Sequence, residues 1–522
     1  MAKGNPILII GFVRNLKTRF TEGRTGRAVS GLAVDYFGNG VTQVLSLLVT
    51  PWLVSLLSPS MYGFWIVVTQ VIFWLSLLDG GVGMYLIKTI AGSKDRESSL
   101  TLMEAISTCF WTYTCLALVA IVIGLWVAPL LPAWVGIEQA QNATARLTFQ
   151  IAVLTAAVSL VIVATFYAIL QGYQQIALVN GIVYGVSITN LLLAVILLLS
   201  GWGVEAMALA QLVATVLGGV TAFFLARHFC AFSLSPRFFR FAELKQVFYY
   251  GFFFQMNKLA FLANTFSDSF LLAGSLGTAS VTTYSLTLKL PQTGSFFVTK
   301  VGGALVPGLA ELFGQNDIFR LQHIILRLFR LLTRIGILSA IFIVVLNERF
   351  VSLWVGPSLF GGFTLTILFA YILLRNCLIG NMSAFFFASG QLQGWGVLSL
   401  IEAGVKIGLT VVLLPSLGLL APAVGTILGG LITGVYAPIK LSRLAQLRLG
   451  TLLREGIGLP LLKSLPTVVV LIGLSYLIPT SWHWLGIACI GVGGLAANTL
   501  SFDVNRWLSV KAFRVSRPAP VE

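Results

Sequence analysis

The sequence predicts an all-α, polytopic integral membrane protein with about 14 transmembrane helices, in two six-helix lobes followed by two extra C-terminal helices. Hydrophobic residues make up 57% of the 522 residues and charged residues only 10%, whereas soluble domains carry about 25% charged residues. Apolar segments long enough to cross a bilayer core of about 30 Å recur along the whole chain. Lys and Arg collect in alternate connections between these segments, as they do in the cytoplasmic loops of membrane proteins.

The predicted elements follow one another without a polar interval large enough for a soluble domain. Residues 1–28 carry their Arg and Lys mostly after a short apolar stretch, which is typical of a basic cytoplasmic segment and not of a signal peptide. The N-lobe, residues 29–226, contains six apolar segments, at about 29–57, 62–91, 101–128, 147–170, 177–200 and 204–226.

A basic cytoplasmic linker at 227–246 leads to the C-lobe at 247–440. The six apolar segments of the C-lobe lie at about 247–274, 281–312, 322–346, 362–388, 397–415 and 419–440. A basic cytoplasmic loop follows at 441–464, helices 13 and 14 at 465–502, and a cytoplasmic tail at 503–522. Short matching segments, Ala214–Gly219 and Gly425–Gly430, end the two sets of six, and six-span repeats insert in the same orientation with a cavity between them.

The distribution of basic residues predicts the orientation. Of the 33 Lys and Arg residues, 23 fall on the predicted inner side, two (Arg146 and Arg349) on the outer side, and eight within spans. We therefore expect both termini in the cytoplasm and a multi-pass protein of a bacterial-type inner (plasma) membrane. Topology accounts for the net charge of +16, so we expect no nucleic-acid partner.

Sequence signatures of enzymes are missing. There is no GxxxxGK[ST] loop for nucleotide phosphates, the three histidines are far apart, and the five cysteines show no CxxC spacing. These patterns predict no catalytic residue, no metal site and no cofactor. A membrane glycosyltransferase or polymer ligase remains an alternative from a different class, although its catalytic groups usually occupy a sizeable outer loop that this chain lacks.

Basic residues inside the predicted spans are the candidates for substrate binding, because charges at membrane depth are costly and usually functional. Lys289 and Lys300 share one helix face, although Lys300 could instead extend to the inner surface. Lys406 follows Glu402 by four residues, a spacing at which the two charges could neutralise each other. The predicted substrate-binding residues are Lys258, Lys289, Arg375, Lys300 and Lys406.

Carboxylates at membrane depth are the candidates for ion coupling or gating. Asp35 lies in the first predicted span and Asp79 in the second, and Asp268 and Glu402 lie in the C-lobe. A lone carboxylate in a low-dielectric cavity can change protonation as the cavity opens and closes. For Asp35 the alternative is a structural carboxylate, hydrogen-bonded near Asn39.

Two motifs resemble a known family. Residues 77–88, LLDGGVGMYLIK, are similar to the D-G/L-G-x-G end of the second span in polysaccharide flippases, and residues 57–63, LSPSMYG, are similar to their L-x-P-x-x-Y/F-G outer turn. The chain thus resembles the oligosaccharide flippase (Wzx-like) branch of the multidrug, oligosaccharidyl-lipid and polysaccharide exporter superfamily.

The resemblance implies a V-shaped cavity between two lobes, alternating access, and transfer of a polyprenyl-diphosphate-linked oligosaccharide, a polysaccharide or O-antigen precursor, from the inner to the outer leaflet. The partners would be this lipid-linked substrate, membrane lipids, and polysaccharide polymerase or export proteins, and a monomer would suffice for transport. A multidrug or cation antiporter of the same superfamily and a lipid-II-type flippase are the alternatives within transport.

Overall fold

The computed structural model describes residues 24–93, 100–315, 317–391, 393–478 and 483–501. Every regular element in these ranges is a helix, so the predicted all-α class is confirmed. The helices up to the linker are α1 (Arg24–Leu56), α2 (Pro59–Leu75), α3 (Val82–Gly92), α4 (Leu100–Val127), α5 (Asn142–Val158), α6 (Thr165–Gly172), α7 (Ile176–Leu199) and α8 (Glu205–Phe229). A π-helical turn at Ser159–Ala164 joins α5 to α6.

Ten α-helices of five or more residues follow the linker in the described part of the chain. They are α9 (Phe241–Leu276), α10 (Thr278–Gly314), α11 (Ile318–Trp354), α12 (Phe363–Ala388), α13 (Gln393–Leu417), α14 (Ala421–Gly429), α15 (Leu431–Leu444), α16 (Leu459–Lys463), α17 (Leu465–Leu477) and α18 (His483–Ser501). Within 441–464, the predicted basic loop, the chain forms short helical turns, including a π-helical segment at Leu452–Gly458. The predicted tail, 503–522, and residues 1–23 of the N-terminal segment lie outside the described residues.

The helices have the length and composition of membrane spans. Eleven segments within the described part of the chain are long and apolar enough to cross a bilayer, and Val82–Gly92 and His483–Gly493 are shorter apolar helices. Large apolar side chains such as Trp126, Phe224 and Val412 are exposed on their surfaces, which suits contact with lipid chains. The protein is therefore a multi-pass membrane protein.

Residues that terminate helices mark several boundaries. The Ser58 hydroxyl accepts a hydrogen bond from the Met61 amide at 3.3 Å, and Pro59 occupies the first turn of α2, an arrangement that favours a helix start. Gly277 has φ +79° between α9 and α10, a conformation in which a side chain is strained. The Asp317 carboxylate accepts from the Arg320 amide at 3.1 Å and begins α11.

The described chain forms two compact units. The first comprises the residues up to Thr282 together with Gly396–Gly418, and the second comprises Thr283–Trp395 and the residues from Leu419 onward. In the first unit α1 packs on α7, α7 on α8, and α9 on α2 and α3. Its core contains Leu86 and Ile90 of α3, Ile106 and Tyr113 of α4, and Phe166 and Ile169 of α6.

The second unit is centred on α11. Its core is formed by Ile325, Phe329 and Leu332 of α11 with Leu373, Cys377 and Phe385 of α12. The Arg330 guanidinium forms an ion pair with Glu455 of the π-helical segment. Near the other end of α11, Arg349 donates at 2.7 Å to the Ser475 carbonyl, so a cation caps the carbonyl end of α17.

The connection between α8 and α9, which we call the linker strap (residues 230–240), is bound along α4. The Trp111 indole donates to the Leu234 carbonyl at 3.0 Å, and the Ser107 hydroxyl donates to the Ser235 carbonyl at 2.8 Å. The Arg240 guanidinium forms a 2.6 Å ion pair with Glu104, which raises the pKa of Arg240. These hydrogen bonds and the ion pair hold this part of the predicted cytoplasmic linker against α4 in the first unit.

Candidate functional site

The second predicted span is interrupted near its middle. The α-helix α2 ends at Leu75, a 3-10 turn runs over Ser76–Asp79, and α3 begins at Val82. Between them Gly80 has φ +59° and Gly81 φ +81°, both in the left-handed region that favours glycine. The three-glycine motif noted in the sequence thus produces a break in the span instead of a continuous helix.

Asp79 at this break is bound by a tyrosine of the neighbouring helix. The Tyr113 hydroxyl of α4 donates a hydrogen bond to Asp79 Oδ1. A Cβ atom on Gly83 would lie 3.0 Å from the same hydroxyl, so the third glycine of the motif leaves room for this contact. Asp79 is therefore held by hydrogen bonding from α4 in the described conformation.

Helix α9 places Lys258 against the break. The Lys258 ammonium donates to the Ser76 carbonyl, and the Gln255 amide, one turn earlier, donates to the Leu77 carbonyl. Asp79 is the last residue of the 3-10 turn that contains both of these carbonyls. The structure thus brings together two predicted site residues, Lys258 and Asp79, at one point of the first unit.

Further polar contacts continue along α9 on both sides of the break. Toward the beginning of α9, Glu243 accepts a hydrogen bond from the Tyr85 hydroxyl of α3. Toward its end, the Gln70 amide of α2 donates to the Ser269 hydroxyl at 2.7 Å. We call the whole line of contacts between α9 and α2–α3 the α9 seam.

The seam ends at the second sequence motif, around the start of α2. The Ser60 and Thr278 hydroxyls lie 2.8 Å apart, and the Thr282 hydroxyl donates to the Pro59 carbonyl at 2.6 Å. A Cβ atom on Gly63 would lie 1.9 Å from the Thr278 carbonyl oxygen. Glycine at this position therefore permits close approach of two backbones.

Lys406 and Asp268 form an ion pair within the first unit. The Lys406 Nζ and Asp268 Oδ1 atoms are 2.8 Å apart, with the lysine side chain 2% exposed and the aspartate 13%. Lys406 also donates to the Asn264 carbonyl, while the Asn264 amide donates to the Ser399 carbonyl at 3.3 Å. These contacts bind α9 to α13, and they join a predicted substrate residue to a predicted coupling residue.

An open apolar groove adjoins this ion pair. Its volume is about 290 Å³, and it is lined by Trp74, Ser267, Phe270, Leu271 and Ile407. Ser267 precedes Asp268 and Ile407 follows Lys406 in the chain. The lining residues belong to α2, α9 and α13.

Asp35 lies in α1 and is bound by α7. The Tyr184 hydroxyl donates to Asp35 Oδ1 at 2.6 Å. One helical turn away, the Asn180 amide donates to the Gly31 carbonyl at 3.1 Å. A Cβ atom on Gly38 would overlap the Tyr184 ring, at 2.2 Å from its nearest atom, so this glycine lets the tyrosine lie flat against α1.

In the second unit, Arg375 binds a break between helices. Its guanidinium donates to the Gly430 carbonyl at 3.1 Å and to the Thr433 hydroxyl at 2.7 Å. Gly430 is both the C-cap residue of α14 and the N-cap residue of α15. Arg375 therefore satisfies backbone and side-chain acceptors at this junction.

The remaining predicted residues are placed as follows. Lys289 is half-buried in α10, two residues before the buried Pro291, and Glu402 is buried in α13. The Lys300 side chain lies outside the described side chains, although its backbone belongs to α10. Among the described residues no group of three His, Cys, Asp or Glu side chains is arranged to hold a metal ion.

Several polar residues of the site were not identified from the sequence. Tyr113 and Tyr184 donate hydrogen bonds to Asp79 and Asp35, and Gln255 and Asn264 of α9 bind backbone carbonyls of other helices. Tyrosines are common in apolar spans, so their presence in the sequence does not indicate which carboxylate they bind. Two amide side chains on the same predicted span, nine residues apart, were an available signal, because amides at membrane depth usually bind neighbouring helices.

Comparison with known families places these features in context. Residues 29–313 match the family model described as "Polysaccharide biosynthesis protein". This match covers both motifs, the broken span and most of α10. No curated protein matches the sequence.

Solved structures share the fold at low sequence identity. The lipid II flippase MurJ in an inward closed conformation has a TM-score of 0.73 at 13% identity, covering 91% of this chain and 100% of that one. An inward-facing multidrug resistance MATE family transporter of the MOP superfamily has a TM-score of 0.66 at 16% identity, covering 77% and 96%. A MOP superfamily transporter from Pyrococcus furiosus, described as having a binding pocket of reverse polarity, has a TM-score of 0.55 at 15% identity, covering 82% and 98%. The chain therefore shares the fold of these three structures.

Proposed function

The chain belongs to the family of polysaccharide biosynthesis proteins, which are transporters and not enzymes, and we propose that it is an alternating-access flippase for a polyprenyl-diphosphate-linked oligosaccharide. The substrate, a precursor of a polysaccharide or O-antigen, would move from the inner to the outer leaflet. Transport would be coupled to an ion gradient and would involve no chemical change of the lipid.

The observation that carries this proposal is the Lys258 ammonium within the candidate span Gln255–Leu276, beside a broken helix. A cation inside the membrane is costly unless it has a function or a partner. A diphosphate offers several anionic oxygens to such a group. We assign diphosphate binding to Lys258 in the first unit, and we propose the half-buried Lys289 of the second unit as a further substrate-binding residue.

The other cations have a supporting role in the proposal. Arg375 binds a carbonyl and a hydroxyl, so it would add positive potential without leaving these partners, whereas the charge of Lys406 is balanced by Asp268 until that carboxylate is protonated. Lys300, on the same helix as Lys289, would extend the positive region. Positive potential in a low-dielectric cavity attracts an anionic substrate over a longer range than direct contact does.

Ion coupling is assigned to carboxylates. Asp35, with its Tyr184 contact, is the first candidate, because it lies away from the cations proposed for the substrate. Asp79 and Asp268 are each next to a proposed substrate cation, so a change in their protonation would alter the potential at that cation. Glu402, one turn before Lys406, would act in the same way.

We further propose fourteen crossings with both termini in the cytoplasm of a bacterial-type inner membrane. Eleven candidate spans are described. One of them, Gly394–Leu444, has 51 residues, or about 77 Å of helix, enough for two crossings of a core of about 30 Å. Helices α10 and α18, of 37 and 19 residues, supply the remaining two. In this arrangement residues 29–226 and 247–440 would be the lobes, and polysaccharide polymerase or export proteins the partners.

The similarity to the lipid II flippase structure suggests a second candidate, the transfer of a lipid-linked cell-wall precursor. The same cations would bind its diphosphate, so the two candidates differ in the headgroup and not in the proposed site. A comparison of headgroups on the same lipid diphosphate distinguishes them.

Binding and transport by the purified protein test the proposal. The protein in proteoliposomes would receive a fluorescent polyprenyl-diphosphate oligosaccharide, a lipid II analogue, a neutral lipid-linked sugar or a cationic drug. We expect selective transport of the diphosphate oligosaccharide, with affinity about tenfold lower in Lys258→Gln and Lys289→Gln. Lys258→Arg should retain most of the binding because the charge is kept.

Lys463→Gln is the matched control, since Lys463 is an exposed lysine at the end of α16. It should bind the diphosphate lipid as the wild type does. If the protein transports the cationic drug, and the Lys258 and Lys289 variants transport it equally well, the proposal is contradicted and an antiporter is favoured. Preference for the lipid II analogue would favour the second candidate.

A further inference from the structure

The α9 seam is divided by the break in the second span. On one side α3 contacts the beginning of α9 through Tyr85 and Glu243. On the other side α2 contacts its end through Gln70 and Ser269. Lys258 and Gln255 bind at the break itself, so they lie where one half of the seam could separate from the other.

The backbone at the break has the conformation of a hinge. Gly80 and Gly81 both have positive φ, and glycine moves between such conformations without the steric penalty of a side chain. The carbonyls of Ser76 and Leu77 belong to a 3-10 turn, where the Gly80 amide donates to the Leu77 carbonyl at 3.2 Å. The donors from α9 therefore add a second set of hydrogen bonds to a short turn at a helix end.

The polar atoms at the break are only partly hydrogen-bonded. Among the described residues, the buried Gln255 Oε1 atom finds no hydrogen-bond partner, although the amide nitrogen of the same side chain donates to Leu77. A buried acceptor without a partner loses its interaction with water and gains nothing in return. Gln70 Oε1, in the contact on the other side of the break, is also without a partner among these residues, so an unpaired acceptor reduces the stability of both contacts, and the positive φ of Gly80 and Gly81 distinguishes the contact at the break.

We propose that Lys258 and Gln255 form a latch that holds the break against α9, and that an anionic diphosphate opens it by drawing the Lys258 ammonium away from the Ser76 carbonyl. Helix α3 then turns about Gly80 and Gly81 and leaves the beginning of α9, while the Gln70–Ser269 contact stays closed. Gln255 acts as a positioning residue, because it controls the availability of Lys258 without contacting the ligand. The identity of the ligand rests on the proposed function; the latch and the hinge do not.

The latch predicts a competition between closure and ligand binding. A ligand that must break contacts binds with an affinity reduced by the fraction of molecules in the open state. Loss of the Gln255 contact should therefore increase the affinity for the diphosphate. Since one hydrogen bond contributes about 0.5–1.5 kcal/mol, the increase should be roughly twofold to tenfold.

Spin-label distance measurements on the full chain in nanodiscs test this proposal. Labels would be attached at Met84→Cys on α3 and Phe241→Cys on α9, both exposed positions, after replacement of the five native cysteines. The probe is a polyprenyl diphosphate, with uncharged polyprenol as its control. We expect the diphosphate, and not the polyprenol, to shift the 84–241 distance to longer values.

Variants separate the latch from general stability. Gln255→Leu should lengthen the distance without ligand and bind the diphosphate more tightly. Lys258→Met should also lengthen it and should no longer respond to the diphosphate. Gln70→Leu is the matched control, because it removes a glutamine contact of the same seam beyond the break, and it should leave the distance unchanged. If Gln255→Leu does not fold, Gln255→Asn, whose shorter side chain does not reach the Leu77 carbonyl, replaces it.

The outcomes distinguish this inference from the proposed function. Unchanged distances in both Gln255→Leu and Lys258→Met would overturn the latch. Diphosphate binding to the wild type without a change in distance would overturn release by the ligand and leave the proposed function standing. Absence of diphosphate binding would overturn the proposed function, and the distance in Gln255→Leu would then decide on the latch alone.

Discussion

Lys406 and Asp268 are separated by 137 residues in sequence, yet their charged atoms lie 2.8 Å apart in the first unit. The lysine is almost fully buried, and it donates a second hydrogen bond to the Asn264 carbonyl. A buried charge loses its favourable interaction with water, and apolar packing does not replace that interaction. It therefore needs an opposite charge or hydrogen-bond partners. The pair therefore fixes the position of α13 on α9.

Removal of one member of this pair should destabilise the protein more than removal of both. We expect Lys406→Met to lower the free energy of unfolding by about 3 kcal/mol, because it leaves the Asp268 carboxylate without its cation. The double variant Lys406→Met, Asp268→Leu should recover most of this loss. Denaturant titration in detergent measures both, and equal destabilisation in the single and double variants would contradict the prediction.

Gly63 should tolerate no side chain. The Cβ atom in Gly63→Ala would lie 1.9 Å from the Thr278 carbonyl oxygen, so α2 or the α9–α10 turn must move, at a loss of about 2 kcal/mol or more. Gly40→Ala is the control, since its Cβ atom would meet no atom within 4 Å and alanine favours a helix by up to about 1 kcal/mol. Thermal unfolding of the two variants gives the comparison, and a Gly63→Ala melting temperature equal to that of the wild type would refute the close contact.

Arg375 should combine a structural role with an electrostatic one. Arg375→Lys keeps the charge but not the planar fork that reaches both Gly430 and Thr433, so we expect a loss of about 1–2 kcal/mol in stability with little change in diphosphate affinity. Arg375→Met should reduce both quantities. Unfolding and binding measured on the same preparations separate the two roles, and a large loss of affinity in Arg375→Lys would instead indicate direct contact with the ligand.

Asp35 should control ion coupling through its contact with Tyr184. We expect Asp35→Asn to remove the dependence of transport on an imposed ion gradient, because the side chain can no longer change its charge. Tyr184→Phe should reduce coupled transport by only about fivefold, since one hydrogen bond is lost. Transport assays with and without a gradient measure both effects. Undiminished coupling in Asp35→Asn would move the assignment to Asp79, Asp268 or Glu402.

The sequence predicts the positions of several apolar helices well because the signal is local. The segments predicted at about 101–128 and 177–200 appear as Leu100–Val127 and Ile176–Leu199, since about 20 consecutive apolar residues leave the chain few alternatives to a span. The structure breaks the segment predicted at 62–91 near Asp79–Gly83, where the sequence has three glycines, which permit backbone conformations that are strained in other residues. Fold class and family followed from such features.

The partners of the buried charges could not be predicted in the same way. Spacing along one helix suggested Glu402 for Lys406, and it gave no indication of the ion pair that joins Lys406 to Asp268 of another helix. Lys258 and Arg375 bind the carbonyls of Ser76 and Gly430, and a backbone carbonyl has no signature in the sequence. Pairing of this kind depends on how helices pack, which hydropathy does not encode.

The linker strap has a consequence for dividing the chain into fragments. Leu234, Ser235 and Arg240 bind side chains of α4, so a cut at Ser233 would leave these contacts on the second fragment and their recognition surface on the first. The strap would then act as an intrinsic docking peptide, with several directional bonds to hold the fragments in register. Co-expressed halves should therefore reassemble more readily than halves cut after Phe241, where these bonds would stay on a single piece.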